Sequence, residues 1–333
     1  MEIYKDYLNK IKTAMAADIK SAIQYSYFDG MNECLQKGYD IGAFLTEAKE
    51  NKPLPSLQTF VAEMGLQPNY DQKLGSHPDF THLKHSDQIE KHYITSMFID
   101  IKNSTNLFKR YIPETVLIIT NTIQRAAIHT CLIFGGYIQR LHGDGLFVYF
   151  GGKDESSKDA TERALKAGSI FSYFIKNDLK NLFNEQGVET IFTRMGIDYG
   201  KNKDVVWAMA GMGEVSEVTT CSLHTSLASK MQGYAESNGI VVGDNVKDLV
   251  DLEYFTPVSK RTGNENDRYI FQIPEENLNY TQYDFDWLSY LKQQDFVATD
   301  LEGNLRFKRK QAVRQISENI KPIAEKSTPY LRK

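Results

Sequence analysis

Cysteine is scarce in this chain: 333 residues carry only Cys34, Cys131 and Cys221, scattered and without metal-ligand spacing. That excludes a disulfide framework and a structural zinc, and it suits a reducing compartment. Cationic excess is missing too. Lys and Arg number 39 against 43 Asp and Glu, a net charge of −4 with a pI near 6.0, so nucleic acid is not the default partner while a small anionic ligand stays open. No apolar run reads as long enough to cross a bilayer, and the charged start Met1-Glu2-Ile3-Tyr4-Lys5-Asp6 is no signal peptide. No membrane insertion is expected, and the cytoplasm is the expected location. No internal repeat or low-complexity tract is evident. What the chain does have is core: 41% hydrophobic and 12% aromatic residues predict one large domain with flanking parts, or two domains.

Residues 1–90 read as a helical extension and connector. Ile11, Met15, Ile19 and Ile23 have helical spacing, and Pro68, Gly75 and Pro78 mark the connector. The main domain is drawn at 91–275, and 276–333 as a helical C-terminal extension. Within the main domain the pattern predicts a strand at about 94–101, a helix from Pro113 to about Leu132, a hairpin at 136–150, a helix at about 156–182 and a strand at 190–199. Pro113 suits a first helical turn, with Val116, Ile119, Ile123, Ala126 and Ala127 along one face. Ser156 or Ser157 caps the second helix, with Ala160, Ala164, Ala167, Phe171 and Phe174 inward. This β-α-β-β-α-β order is α+β, a ferredoxin-like palm. Strand Val205–Ala210, a helix around Ser222–Ser237, strand Ile240–Val242 and a closing hairpin, Tyr254–Val258 with Arg268–Ile273, are expected to follow. The basic run Arg306-Phe307-Lys308-Arg309-Lys310 reads as a solvated face.

Two aspartates stand out. Asp100 ends the apolar strand Met97-Phe98-Ile99-Asp100-Ile101 and opens into Lys102-Asn103-Ser104-Thr105. Asp144 sits in the turn Gly143-Asp144-Gly145 between apolar-alternating segments. If their strands lie side by side, the carboxylates converge, and such a pair needs a cation to stay ionised. Magnesium or manganese suits oxygen-only ligands and often brings a nucleoside triphosphate.

Over residues 93–273 the chain resembles a class III nucleotidyl cyclase, the adenylate and guanylate cyclase catalytic fold. Phe98-Ile99-Asp100-Ile101-Lys102-Asn103-Ser104-Thr105-Asn106-Leu107 resembles that family's first metal motif. The segment from Gly135-Gly136 through His142-Gly143-Asp144-Gly145 to Phe150-Gly151 resembles the second. Arg194-Met195-Gly196-Ile197-Asp198-Tyr199-Gly200 resembles a later landmark. The resemblance implies two metal ions, Mg2+ or Mn2+, held by Asp100, Asp144 and the Ile101 carbonyl. The ribose 3′-hydroxyl then attacks the α-phosphorus and pyrophosphate leaves. It further implies phosphate contacts from Asn103, Ser104 and Thr105, and a triphosphate-binding Lys260. A homodimer would carry two equivalent sites at its interface.

The departures concern the base and ribose. Where the family reads adenine with lysine the chain has Arg140, and the second base position aligns with Thr219. Arginine offers only donors, so it favours carbonyls: uracil presents two, cytosine one, adenine none, and guanine also offers acceptors. Ser226 and Lys230 stand in the places of the ribose asparagine and the transition-state arginine. This combination looks most like the pyrimidine cyclases of the Pycsar antiphage systems, whose cyclic UMP or cyclic CMP activates a separate effector. The carbonyl count favours UTP over CTP.

Blander readings stand beside these. Arg140 reads as a structural residue salt-bridged at a sheet edge, Arg194 as structural, and Thr219 and Ser226 as ordinary surface hydroxyls. His142 reads as a packing neighbour of Asp144, and His77, His82, His85 and His92 as a surface loop rather than a metal site. Two further functional classes are a cyclase-like module that binds nucleotide without turnover, and an ordinary adenylate or guanylate cyclase with an unusual pocket.

Overall fold

The computed structural model describes residues 2–18, 41–47 and 49–308. Its helices are α1 (Lys5–Ala16), α2 (Ile41–Glu47), α3 (Pro55–Met64), α4 (Pro113–Ile133), α5 (Ser157–Tyr173), α6 (Lys180–Glu185), α7 (Leu223–Tyr234), α8 (Asp244–Val250), α9 (Val258–Thr262) and α10 (Trp287–Lys292). Its strands are β1 (Glu90–Lys91), β2 (Ile94–Lys102), β3 (Gly136–His142), β4 (Gly145–Phe150), β5 (Phe192–Gly200), β6 (Val205–Met212), β7 (Val215–Ser222), β8 (Gly239–Gly243), β9 (Phe255–Pro257), β10 (Tyr269–Ile273), β11 (Leu278–Phe285), β12 (Val297–Thr299) and β13 (Leu305–Phe307).

The central sheet runs β10-β11-β8-β5-β2-β4-β3, with β9 also on β11. Its β5-β2-β4-β3 part, joined through α4 and α5, is the α+β ferredoxin-like palm implied by the sequence. Alternation along β2 sorts the two faces. Met97, Ile99 and Ile101 join Val116, Ile119, Ala164 and Ile170 of α4 and α5 in the main core. Pro113 opens α4, and Ser156 caps α5 by accepting from the Asp159 amide. Ser96, Phe98 and Asp100 point to the opposite face, where the register pairs them with Asp198, Gly196 and Arg194 of β5. Helix α7 covers part of that face and leaves the rest open. Gly196 makes this possible: a β-carbon there would lie 2.0 Å from the Ala228 carbonyl oxygen and 2.4 Å from the Gln232 amide, so helix and strand touch backbone to backbone.

Several expectations need correcting. The helix expected over 156–182 is interrupted by a π-helical turn, Phe174–Leu179. Tyr254–Val258 and Arg268–Ile273 do not form a hairpin; β9 and β10 each pair with β11, a strand not foreseen. Residues past 275 therefore belong partly to the sheet, since β11 also pairs with β8, followed by α10 and the β12–β13 hairpin. The connector is not a loose link either. Its His77 and Phe80 are buried, and the Phe80 ring stacks on Trp207 of β6 with centroids 3.9 Å apart. Helix α4, at 21 residues, is long and apolar enough by composition to cross a membrane, yet 72% of its most apolar window is buried inside the protein. Ile11 and Met15 are buried in α1; Ile19, Ile23, Arg309 and Lys310 lie outside the described residues.

Candidate active site

Strand β4 pairs with β2 only as far as Ile99 opposite Leu146, whereas β5 continues to Lys102. Past Ile99 the β4 side of β2 has no strand partner, and the Gly143-Asp144 turn rises beside it. Gly143 supplies a φ of +59° for that turn. A β-carbon on Gly145 would stand 2.6 Å from the Ile99 carbonyl oxygen and 3.5 Å from the Asp100 Cα, which is how closely the turn carries Asp144 up to Asp100. The Oδ2 atom of Asp100 accepts from Arg194 Nη2 at 2.9 Å and from Gln232 Nε2 at 3.1 Å. Its Oδ1 takes no hydrogen bond from a described residue, and Asp144 makes neither hydrogen bond nor ion pair with one. Among the described residues no group of three or more His, Cys, Asp or Glu side chains converges. Two carboxylates offered from neighbouring strand ends are hard-oxygen donors, and that chemistry fits magnesium or manganese.

The remaining predicted residues divide between two cavities. One of about 600 Å³ is lined by Asp100, Arg140, Thr219, Ser226, Lys230 and Gln232, among others. The other, about 570 Å³, holds Ser104 and Asp144 beside α4. Asn103 takes a left-handed φ of 68° at the start of a short 3-10 turn; it and Thr105 are exposed and line neither cavity. Lys260 is exposed on α9 and lines neither. His142 lines the first cavity.

Arg140 reaches that cavity by a β-bulge. In β3 Ile138 pairs with Val148, yet Arg140 pairs with Phe147, the register shifting between them. The extra residue, Gln139, sends Arg140 to the Phe147 face instead of the helix-packed Ile138 face. There its Nε donates to Glu217 Oε2 on β7 at 2.9 Å, and its Nη2 stands in ion-pair contact with Glu217 Oε1. Hydroxyls then link base side to helix. Tyr149 Oη contacts Thr219 Oγ1 at 3.2 Å and Thr220 Oγ1 at 2.8 Å, Thr220 contacts Thr225 at 3.0 Å, and Thr225 contacts Ser96 at 2.9 Å. Ser226 donates its hydroxyl to the Ser222 carbonyl at 3.2 Å. Lys230 makes no ion pair with a described residue.

Beneath α7 lies a buried polar knot. Asp198 is fully buried; His224 Nδ1 lies 2.9 Å from its Oδ2, and Tyr280 of β11 donates to Oδ1 at 2.8 Å. Burial raises the Asp198 pKa, with both partners working against the rise, and burial likewise raises that of Tyr280.

Sequence reasoning missed Glu217 and Gln232 and read Arg194 as merely structural. Glu217 lies on β7, a strand that went unread, and Gln232 is an unremarkable helical glutamine. The spacing of Glu217 two residues before Thr219 on one strand face is the signal that was available.

Known proteins resemble the chain. It is 34% identical over 249 residues to a cytidylate cyclase of Staphylococcus aureus, across 73% of this chain and 58% of that relative. It is 33% identical over 223 residues to a cytidylate cyclase of Escherichia coli, across 64% and 48%. The chain is similar to class III nucleotidyl cyclases, and the relatives named here are cytidylate cyclases. It spans about half the length of the curated relatives it matches. No protein-family model matches it. A solved adenylyl cyclase, CyaB from P. aeruginosa, is 19% identical with a TM-score of 0.49, covering 60% of this chain and 95% of that one; the fold of this chain is read from its own strand order.

Proposed function

We propose that this protein converts CTP to 3′,5′-cyclic CMP and pyrophosphate. The observation that carries the proposal is Asp100 at a strand end in the wall of a cavity that also bears Arg140, Thr219, Ser226 and Lys230, with Asp144 in the adjoining turn at the edge of the neighbouring cavity. The choice of CTP follows the relatives, which are named cytidylate cyclases. UTP is the second reading, favoured by the two carbonyls that uracil offers an all-donor arginine.

Asp100 and Asp144, with the Ile101 carbonyl, would hold two magnesium or manganese ions. When bound, such ions polarise the ribose hydroxyl and neutralise triphosphate charge. Arg140 and Thr219 orient the base, and Ser226 the ribose, so that O3′ is in line with the α-phosphorus. The O3′–P bond forms as the bond to the bridging oxygen breaks, and pyrophosphate leaves. Lys230 places a positive charge against the developing phosphate charge. Backbone N–H groups at Asn103, Ser104 and Thr105 hold phosphate oxygens, with Lys260 the candidate for the triphosphate tail.

The resemblance to the class III cyclases supports a homodimer in which each site takes its aspartates from one copy and its base readers from the other. Met212 and Val215, each 78% exposed at the tip of the β6–β7 hairpin, offer apolar surface for such pairing. The cyclic nucleotide would act in the cytoplasm as a second messenger to a separate effector in antiphage defence.

The test is to incubate purified protein with ATP, GTP, CTP and UTP separately, with magnesium or manganese, and to identify products by mass spectrometry. Cyclic CMP lost in Asp100→Asn upholds the proposal, and cyclic UMP as main product moves it to the second reading. A purine product, or none from any nucleotide, overturns both. Sedimentation of the wild type and of Met212→Asp/Val215→Asp tests the dimer.

A further inference from the structure

We propose that Glu217 is a specificity-determining residue: by gripping one side of Arg140 it fixes which edge of the guanidinium faces the base. This rests on the pyrimidine-cyclase reading above and deepens it.

A guanidinium carries five in-plane N–H groups. Glu217 engages the Nε side, accepting Nε–H at Oε2 and holding Oε1 in ion-pair contact with Nη2. The parallel pair left at the end, one hydrogen each on Nη1 and Nη2, forms a two-donor fork. The surrounding backbone directs both partners of this ion pair. The bulge at Gln139 sets the direction of Arg140, and the Gln139 side chain, itself 2% exposed, donates to the Val218 carbonyl at 3.0 Å, tying β3 to β7 beside Glu217. From behind, the connector closes on the carboxylate: a β-carbon on Gly75 would lie 3.5 Å from both Glu217 Cβ and Oε2. Thr219, two residues on along the strand, lines the site cavity with Arg140, while Glu217 and Arg140 line the cavity next to it.

A fixed two-donor fork selects for two adjacent acceptors. Cytosine presents them, with O2 beside an unprotonated N3. Uracil carries a hydrogen on N3 and so offers the fork a donor between its carbonyls, leaving only one good contact. Released from Glu217, Arg140 can turn to meet a lone carbonyl, and the distinction between the two pyrimidines weakens.

The experiment is a competition of CTP against UTP, with both cyclic products quantified, on the wild type, Glu217→Gln and Glu217→Asp, each also in an Arg140→Ala background. In Glu217→Gln the ratio of kcat/KM for CTP over UTP is expected to fall about tenfold or more, mainly through KM for CTP. The same substitution on top of Arg140→Ala should move the ratio less than about twofold, because its target is gone. Glu217→Asp, which retracts the carboxylate by one methylene, should fall between and serves if Glu217→Gln does not fold. An unchanged ratio in a folded Glu217 variant, or an equal change in both backgrounds, overturns the proposal. A wild type that makes no cyclic pyrimidine nucleotide overturns the reading beneath it instead.

Discussion

Arg194 and Asp100 sit opposite each other on β5 and β2 and are joined by an ion pair of 2.9 Å. The same arginine donates from Nη1 to the Gly233 carbonyl at 3.1 Å, so one side chain ties the aspartate to the end of α7. On the proposed function Arg194 would act through the aspartate it holds. Arg194→Met is expected to lower turnover by about 10- to 100-fold with only a small loss of thermal stability. Steady-state rates at saturating magnesium or manganese, beside a melting curve, check this.

Asp144 is held by no described side chain and stands in an open turn, so its replacement disturbs no packing. Asp144→Asn should remove cyclic product to below about a thousandth of the wild-type rate, while the melting temperature stays within about 2 °C. Appreciable turnover in the folded variant would show that the carboxylate pair is not the reacting centre.

The palm was legible because its signals are local. Apolar alternation, Pro113 at a first turn and Ser156 at a cap each act within a few residues. The strand-end positions of both aspartates were legible for the same reason, their motifs being contiguous. Glu217 and Gln232 were not, since each matters only through a partner 77 or 132 residues away. The bulge that redirects Arg140 was equally hidden: a parity count along β3 puts Arg140 on the face of Ile138, and one extra residue reverses it. Strand β11 was lost in a polar stretch because it earns its place by pairing with β8, β9 and β10 rather than by its own pattern.

Gly196 marks where α7 rests on the sheet. Gly196→Ala sets a methyl group against the backbone of Ala228 and Gln232, atoms that can move only with the helix. A destabilisation of about 3 kcal/mol is expected, together with a loss of activity larger than the loss of stability, because Ser226 and Lys230 ride on α7. Chemical denaturation and initial rates measured on one sample decide it; a variant as stable and active as the wild type refutes the contact.

Acid should unfold the protein through two buried histidines. Burial lowers the pKa of both His77 and His129 from 6.5 to about 4. The unfolded chain binds their protons first as pH falls, so stability is lost between about pH 6.5 and pH 4 and levels off below. Each contributes on the order of 3 kcal/mol to that loss. The His77 contacts agree with a neutral ring, Nε2 donating to the Gly151 carbonyl at 2.9 Å and Nδ1 accepting from the Asp79 amide at 3.3 Å. Unfolding free energy measured from pH 7 to pH 4 should fall in the wild type and less steeply in His129→Gln.

Tyr280 reaches Asp198 from β11, one of the last parts of the sheet to be synthesised. Until that strand docks, the buried carboxylate beneath α7 lacks its hydroxyl partner, and the helix bearing Ser226 and Lys230 rests on an incomplete floor. The face that bears the candidate site is therefore completed late along the chain. On the proposed function, a chain ending before residue 280 would carry Asp100 and Asp144 without this support and is expected to make no cyclic nucleotide.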